Sequence, residues 1–290
     1  HNKYPPGLKK QVKAAILEIE NFMNKSFGSS SDPLLFSVRS GARQSMPGMM
    51  ETVLNIGLTN KTITGLVQQT KNPKFAYDSY RRLIMMYADV VMDKANDLKN
   101  FKIRIKLEKI LEKIKSKKQY KYDSDITEND LEQICIEFKK KIATIIKDDF
   151  PDNPNKQLWG SIDAVFKSWN GKRAIKYRSI ENLDDNWGTA VNIQCMVFGN
   201  MGNNSATGVG FTRNPATGEK KFFGEWLQNA QGEDVVAGIR TPHYIEGSKN
   251  DLKTKMPKMY NELHTIQDTL ESHYKEMQDI EFTIQQGKLY

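Results

Sequence analysis

An arginine among small residues is the first feature of this sequence with clear chemical potential. Arg39 follows a short apolar run of strand type and lies in the segment Ser37-Val38-Arg39-Ser40-Gly41. An arginine at the exit of a strand can hold a phosphate through two parallel hydrogen bonds. An ordinary surface arginine before a turn produces the same pattern, and composition alone favours that simpler interpretation.

Two carboxylates near the end of the chain form the second feature. Residues 279–285 read Asp-Ile-Glu-Phe-Thr-Ile-Gln, and positions i and i+2 of a strand share one face. One face then carries Asp279, Glu281, Thr283 and Gln285, and the other carries Ile280, Phe282 and Ile284. Two carboxylates on a rigid strand can hold Mg²⁺ on a nucleotide. A half-buried strand with one wet face predicts the same alternation.

Two loops could also contact a ligand. The segment from Ser45 to Met50 contains three methionines, which suits either a mobile flap over a ligand or a loop packed on the core. The segment from Gly199 to Gly210 is rich in Gly and Asn, but it contains neither a Walker-type Gly-Lys-Ser/Thr nor Gly-x-Gly-x-x-Gly. We expect it to be a hairpin turn between two strands.

Histidine and cysteine supply no obvious catalytic or metal site. The four histidines give neither a triad nor metal-ligand spacing, and we expect them to be structural or exposed; they are His1, His243, His264 and His273. Cys135 and Cys195 have no partners at metal-ligand spacing, so a disulfide framework and a Cys-based zinc site are excluded.

Composition narrows the class of protein. The 290 residues include 13 Phe, 11 Tyr and 4 Trp, too many aromatic residues for a wholly disordered chain. No uncharged apolar run approaches the roughly 20 residues of a membrane span. The net charge is +8, and lysines crowd residues 99–147. Leu107, Ile110, Leu111 and Ile114 recur there at helical spacing, so the lysines are expected to line solvated helix faces rather than bind RNA.

The elements that position these residues have an α+β pattern. We predict a helix over 8–24, a strand over 34–38, a loop over 39–50, and helices from Asn60 to about Asp148. The turns fall near Asn72-Pro73, Asn100 and Tyr122-Asp123, and residues 124–130 resemble a helix cap. A further helix covers 156–169. Beyond Gly188, short β-rich segments predict a meander of strands, including 189–199, 206–214, 220–226 and 233–239. A helix over 257–277 and a closing hairpin across Gln286-Gly287 follow.

Several long strings resemble the N-terminal region of pyruvate, phosphate dikinases. They are FSVRSGARQSMPGMMETVLNIGL, NPKFAYDSYRRLIMMYADVVM, WGTAVNIQCMVFGNMGNNSATGVGFTRNPATGE, GEWLQNAQGEDVVAGIRTP and DIEFTIQQGKLY. The resemblance implies an ATP-grasp nucleotide-binding domain of two β-containing lobes. The first lobe would comprise 1–58 and 150–200, a helical insert 59–149, and the second lobe 201–290. Such a domain passes a pyrophosphoryl group from Mg·ATP to a histidine on a separate domain. The net reaction turns ATP, phosphate and pyruvate into AMP, pyrophosphate and phosphoenolpyruvate.

The resemblance also implies roles for individual residues. Arg39 matches the catalytic arginine that holds the ATP phosphates, and residues 48–52 match a loop that closes over them, with Gly48, Met49 and Thr52 in contact with ATP. Gln194, Met196 and Val197 match the strand that binds adenine. Asp279 and Glu281 match the acidic pair that binds ATP and Mg²⁺, with Glu281 as the direct metal ligand.

Parts of the family pattern are absent from this sequence. They are the upstream Gly-Gly-Lys-Gly, the glutamine and arginine after KLY, the Thr-Ser-His segment and the pyruvate-binding barrel domain. The sequence also starts at His1 and stops within a strand. We therefore expect a piece of a longer cytoplasmic phosphotransferase, a monomer by itself and unable to run the full reaction.

The partners and alternatives follow from the same resemblance. We expect ATP, Mg²⁺ and the phosphohistidine and pyruvate-binding domains as partners, a homodimer for the full-length enzyme, and no nucleic acid or membrane. The alternatives are the equivalent domain of a phosphoenolpyruvate synthase and a basic helical protein that binds nucleic acid.

Overall fold

The chain divides into two compact units, His1–Met196 and Val197–Tyr290. The structure is a computed structural model and describes residues 4–95, 101–236 and 240–290. Each unit has its own β-sheet and its own helices, so the predicted α+β class is confirmed.

The first unit is built around a three-stranded antiparallel sheet. The unit contains the strands β1 (Ser26–Phe27), β2 (Pro33–Leu34), β3 (Phe36–Ala42), β4 (Thr52–Ile56) and β5 (Thr189–Cys195). The order in the sheet is β4-β3-β5, and β1 pairs with β2 in parallel. Val38 and Val53 are opposite each other and fully buried, so one face of this sheet is the core face. The alternate residues must then point away from the core.

Among the described residues, seven α-helices complete the first unit. They are α1 (Leu8–Met23), α2 (Thr62–Thr70), α3 (Pro73–Tyr87), α4 (Ile103–Lys118), α5 (Glu128–Ile146), α6 (Pro154–Ser168) and α7 (Lys172–Glu181). A π-helix, Ala88–Lys94, follows α3. Asn72 caps α3 by accepting a hydrogen bond from the N–H of Phe75, with Pro73 in the first helical position. Thr127 caps α5 in the same way with the N–H of Asp130, so the predicted cap is confirmed.

The lysine-rich helix α4 is amphipathic. Leu107 and Leu111 are buried, whereas Lys109 and Lys113 on the other side are exposed. The prediction that these lysines line a solvated face is confirmed. None of the helices among the described residues combines the length and the apolar character that a membrane crossing needs. The predicted turn near Asn100 lies outside the described residues.

The second unit is a five-stranded antiparallel sheet with a long helix. Its strands are β6 (Ala206–Phe211), β7 (Phe223–Gln228), β8 (His243–Tyr244), β9 (Asp279–Gln285) and β10 (Lys288–Leu289), in the order β10-β9-β6-β7-β8. Its helices are α8 (Gly232–Val236), α9 (Leu252–Lys255) and α10 (Pro257–Tyr274). Trp226, Phe282 and Ile284 belong to the same buried cluster as Met259 and Leu263 of α10. One face of this sheet is therefore covered by α10. The predicted closing hairpin β9–β10 is confirmed.

Three predictions about strands were wrong because strand pairing depends on distant residues. The strand over 189–195 does not join the later meander, since β5 pairs with β3 of the first unit. The segment 199–210 is accordingly not a hairpin turn, because it links strands of two different sheets. The predicted loop over 39–50 is partly strand, because pairing with β5 extends β3 to Ala42.

Local chemistry explains a fourth error. The Val-Val pair in 233–239 predicts a strand, but residues up to Val236 belong to α8. Asp234 accepts a hydrogen bond from the N–H of Gln231 at 2.9 Å, which closes a turn at the start of this helix. Residues 237–239 lie outside the described part. Strand β4 and helix α7 were not predicted at all; in α7 only Ala174 and Arg178 are buried, too few for a clear helical period.

Candidate functional site

Arg39 lies in the middle of a polar row on the open face of the first sheet. It pairs with Thr52 of β4 on one side and Asn192 of β5 on the other. Residues directly opposite each other on neighbouring strands point to the same face, with Cβ atoms about 5 Å apart. The register therefore places Thr52, Arg39 and Asn192 side by side. Arg39 and Asn192 are exposed, and Thr52 is half-buried.

The positive charge of Arg39 is not neutralised by any described residue. Neither Arg39, Thr52 nor Asn192 has a side-chain hydrogen bond or ion pair within the described ranges. Glu51, which precedes Thr52, does not pair with Arg39. Its carboxylate forms ion pairs with Lys94 and Arg173, each at 3.2 Å. An unpaired guanidinium between two uncharged polar side chains suits an anion, because five N–H donors are free to bind oxygen atoms.

The methionine-rich loop between β3 and β4 is anchored at its base and open at its tip. Met46 is buried, and its carbonyl accepts a hydrogen bond from the N–H of Met49 at 3.0 Å. The N–H of Glu51 donates to the hydroxyl of Ser168 at 3.3 Å. Gly48 at the tip is exposed with φ of 71°, a conformation that glycine adopts without strain. The base of the loop is thus packed on the core and its tip is exposed, whereas the closing of the tip over a ligand stays a prediction.

The segment from Gln194 to Val197 comprises the last two paired residues of β5 and the two residues that follow them. Gln194 is exposed on the same face as Asn192, two residues further along the strand. The N–H of Met196 donates to the carbonyl of Leu35 at 2.9 Å, so this N–H is not available to a ligand. Val197 is the first residue of the second unit and is half-buried.

The acidic pair lies on the open face of the second sheet. Asp279 and Glu281 are exposed on β9, whereas Phe282 and Ile284 are buried, which confirms the predicted alternation. Neither carboxylate has a hydrogen bond or an ion pair with a described residue. Their oxygens are therefore free to bind a cation.

A third acidic residue shares this face and was missed from the sequence. Glu281 pairs with Val209 of β6, and Val209 pairs with Glu225 of β7. Glu225 is exposed and lies two strands away from Glu281, about 10 Å in the plane of the sheet. The alternation of β7 around buried Trp226 could have indicated the face of Glu225, but not its register. The described residues contain no group of three His, Cys, Asp or Glu side chains close enough to hold a metal ion by themselves.

Gln285 attaches the start of the second unit to the strand of the acidic pair. Its Oε1 accepts a hydrogen bond from the N–H of Phe198 at 2.8 Å. The carbonyl of Asn204 accepts from the N–H of Gly287 at 2.8 Å, and Asn229 Oδ1 accepts from the N–H of Gly202 at 3.1 Å. The glycine-rich segment is thus held by the two neighbouring turns of its own unit.

The cysteines and the described histidines are structural or exposed. Burial raises the pKa of Cys135 to about 12 and also raises the pKa of Cys195. Both thiols therefore stay protonated at neutral pH, which removes the nucleophilic thiolate. His264 packs between Phe222 and Tyr260, with ring centroids 6.4 and 4.5 Å away, as expected of a structural residue. His1 lies outside the described residues.

Comparison of the sequence with known proteins identifies the family of this chain. The family model for the pyruvate phosphate dikinase AMP/ATP-binding domain matches residues 5–262. The chain is 49% identical over 281 residues to a pyruvate, phosphate dikinase of Clostridium symbiosum, covering 97% of the chain and 31% of that protein. It is 48% identical to the dikinase of Rhizobium meliloti, covering 99% of the chain and 32% of that protein. It is also 49% identical to the chloroplastic dikinase 1 of Zea mays, covering 99% and 29%. The chain thus spans about 30% of the length of these relatives.

Proposed function

The chain belongs to the AMP/ATP-binding domain family of pyruvate phosphate dikinase, and from this premise we propose that it is the Mg·ATP-binding domain of such an enzyme. The observation that carries the proposal is the unpaired Arg39 in a polar row with Thr52 on an open sheet face. A family defined by AMP and ATP binding needs a cation for the phosphates, and Arg39 is an exposed cation at a position that the family resemblance assigns to this role.

In the complete enzyme, the domain would deliver a pyrophosphoryl group to a histidine on another domain. The relatives are about three times longer than this chain, which leaves room for the phosphohistidine and pyruvate-binding domains. Pyruvate, ATP and phosphate would give phosphoenolpyruvate, AMP and pyrophosphate. The relatives reported above are all dikinases, which favours this function over a phosphoenolpyruvate synthase domain. The solvated lysines of α4 give no separate support to a nucleic-acid-binding function.

The phosphates would bind the open face of the first sheet. Arg39 would hold the transferring group by hydrogen bonds that strengthen as charge develops, which is the main protein contribution to phosphoryl transfer. Thr52 would donate its hydroxyl from the adjacent strand, and the exposed turn at Gly48 and Met49 would close over the phosphates. The buried Met46 would keep the base of this loop in place while its tip moves.

Adenine would bind along Gln194, Met196 and Val197. The N–H of Met196 is already bound to Leu35, so the other backbone groups of this segment are proposed to contact the base. Their position at the end of an ordered ladder would keep them fixed before the ligand arrives, which reduces the entropic cost of binding.

The carboxylates of Asp279 and Glu281 fit Mg²⁺ that arrives with the nucleotide. Mg²⁺ prefers oxygen ligands and is commonly held by one or two carboxylates together with substrate phosphates and water. Two free carboxylates, without a complete all-protein cage, match this preference. Glu281 is the proposed direct ligand, and Asp279 would bind through the same face. The metal would neutralise phosphate charge, while Arg39 orients the phosphates.

The proposed architecture is an ATP-grasp domain. Its first lobe would combine residues 1–58 and 150–200, which agrees with the packing of α6 on β3 and β4. Residues 59–149 would be a helical insert, and residues 201–290 the second lobe. The isolated chain is proposed to be a monomer, and the complete enzyme a homodimer.

Calorimetric titration of the 290-residue chain with Mg·ATP tests this function, with Mg·GTP as the matched control. We expect saturable binding of Mg·ATP and weaker binding of Mg·GTP. Binding of neither nucleotide would contradict the proposal, if a longer protein that includes the family's upstream lysine segment also failed to bind.

A further inference from the structure

Asn192 completes the polar row on the side opposite Thr52, and neither the family resemblance nor the sequence pattern assigns it a role. It pairs with Arg39 in the register of β3 and β5. Along β5, Ala190, Asn192 and Gln194 are exposed, whereas Val191 and Ile193 are half-buried. Asn192 therefore lies on the open face of β5, the edge strand that neighbours the strand of Arg39.

The glycine at position 41 makes room for the amide of Asn192. A Cβ atom at Gly41 would lie 2.9 Å from Asn192 Nδ2 and 3.2 Å from the Cβ of Ala190. The first distance is shorter than real Cβ contacts, so the amide lies across the bare backbone of β3. Gly41 does not have a positive φ, so this position has no conformational need for glycine. The space for the Asn192 amide is a physical reason for its small size.

The amide of Asn192 has hydrogen-bonding capacity that no described residue uses. Its Nδ2 carries two donors and its Oδ1 accepts, yet neither forms a hydrogen bond within the described ranges. The adjacent guanidinium of Arg39 is also unpaired. The two residues have Cβ atoms about 5 Å apart on one face, so their side-chain donors can reach different oxygens of a single polyphosphate.

We propose that Asn192 is a phosphate-binding residue of the nucleotide site, and that its amide occupies the space left by the absence of a side chain at Gly41. This inference rests on the proposed ATP-binding function and extends it from Arg39 and Thr52 to a third strand. Asn192 donates to the oxygens of the β- and γ-phosphates, beside Arg39, and does not contact the base. It therefore adds more to the binding of ATP than to the binding of AMP.

The test compares ATP and AMP binding by the 290-residue chain and its Asn192→Ala variant. We expect the affinity for Mg·ATP to fall about 10-fold, the effect of about one lost hydrogen bond to a charged group, and the affinity for AMP to change less than 2-fold. Asn21→Ala, an exposed asparagine on α1, is the matched control and should change neither. Asn192→Asp should lower ATP affinity more than Asn192→Ala, because the carboxylate would repel the phosphates and pair with Arg39.

A double-mutant cycle tests the role of Gly41. Gly41→Ala should weaken ATP binding several-fold by displacing the Asn192 amide, and it should have little further effect in the Asn192→Ala background. Additive losses would overturn the proposed link between the two residues. Unchanged ATP affinity in Asn192→Ala, or equal losses for ATP and AMP, would overturn the phosphate-binding role. Failure of both the unaltered chain and the longer protein with the upstream lysine segment to bind ATP would instead overturn the proposed function, and this inference with it.

Discussion

The three-stranded sheet of the first unit and the five-stranded sheet of the second are both antiparallel, and their open faces carry opposite charges. Each has one face on a buried core and one open face with exposed polar residues. The open face of the first sheet carries Arg39, flanked by uncharged Thr52 and Asn192. The open face of the second sheet carries Asp279 and Glu281, with Glu225 in the same row as Glu281. One face suits an anion and the other suits a cation.

This difference gives the two proposed roles, phosphate binding and metal binding, to different sets of residues. Arg39 would be neutralised if an acid lay beside it, and Glu281 would be neutralised by a neighbouring lysine. Within the described residues each group is unpaired on its own sheet, so each is free to take the part proposed for it, Arg39 towards phosphate and Glu281 towards the metal. Removing the charge from one face should therefore affect a different part of the ligand than removing it from the other.

Of the four changes considered, Arg39→Ala should have the largest effect, which is a loss of ATP affinity. Loss of charge-assisted hydrogen bonds to phosphate is expected to cost about 2–3 kcal/mol of ATP binding, roughly 30- to 150-fold in Kd. Calorimetric titration measures it, with Arg43→Ala as the control, since Arg43 stacks on Trp187 at 4.9 Å. Equal ATP affinity in the wild type and Arg39→Ala would contradict the assignment of phosphate binding to the open face of the first sheet.

Gly208→Ala should damage the second unit and spare the first. An added Cβ would lie 2.3 Å from the Phe282 ring and 2.7 Å from the carbonyl of Glu225. Overpacking of this kind costs about 1–3 kcal/mol of unfolding free energy. Urea unfolding followed by the fluorescence of Trp226, in a variant without the other tryptophans, reports on the second unit. Unfolding at an unchanged urea concentration would show that the β6–β9 packing tolerates a methyl group.

Acid should weaken the first unit through Asp78. Burial would raise the pKa of Asp78, but the guanidinium groups of Arg81 and Arg82, each with Nε at 2.9 Å, lower it to about 2. Because this value is below the 3.8 of the unfolded chain, the stabilisation is present above about pH 4. It is lost as the pH falls towards 2 and is worth about 2 kcal/mol.

Urea unfolding at pH 7, 4 and 2.5 measures this effect. In a Trp226→Phe background, the fluorescence comes from the tryptophans of the first unit. Asp78→Asn should be less stable at pH 7 and should lose less stability between pH 4 and pH 2.5. The same pH dependence in wild type and Asp78→Asn would assign the acid sensitivity to another carboxylate.

Glu281→Gln should have the smallest effect of the four changes, and its effect should depend on the presence of Mg²⁺. The amide retains the shape of the side chain but weakens the interaction with Mg²⁺, and we expect a loss of about 1–2 kcal/mol of ATP binding in Mg²⁺. In EDTA, Glu281→Gln should bind ATP at least as tightly as the wild type, because a carboxylate without its metal repels the phosphates. Glu276→Gln, an exposed residue of the segment before β9, is the control. An equal loss with and without Mg²⁺ would exclude a metal-binding role.

The sequence predicts which face of a strand each residue occupies better than it predicts which strands pair. The alternation in 279–285 was read correctly, because a period of two depends only on neighbouring residues. The pattern of short strands places β5 in the later meander, which is wrong, because Ser37 and Gln194 pair across 157 residues of sequence. Only the family resemblance groups residues 150–200 with residues 1–58. The row of Thr52, Arg39 and Asn192 therefore could not be predicted, since it depends on the register of three separate strands.

Local competition explains the remaining differences. The Val-Val pair favours a strand, but the side chain of Asp234 closes a turn that begins α8. Helix α7 carries little apolar periodicity, and its buried Arg178 is held by Asp185 at 2.6 Å and stacks on Trp169 at 4.1 Å. Asp185 and Trp169 lie outside α7, so the contacts that hold the helix leave no helical period in its own sequence. Residue type and strand position make Arg39, Asp279 and Glu281 candidates, and their proposed roles come from the family resemblance, whereas Glu225 and Asn192 required the folded register.

The most direct measurement is a crystal structure of the chain with a non-hydrolysable ATP analogue and Mn²⁺ in place of Mg²⁺. We predict phosphate oxygens within hydrogen-bonding distance of Arg39 and Asn192, adenine along Gln194 to Val197, and an anomalous Mn²⁺ peak at Glu281. Phosphates away from the row of Thr52, Arg39 and Asn192, or Mn²⁺ bound without Asp279 and Glu281, would contradict the assignment of anion and cation to separate sheets.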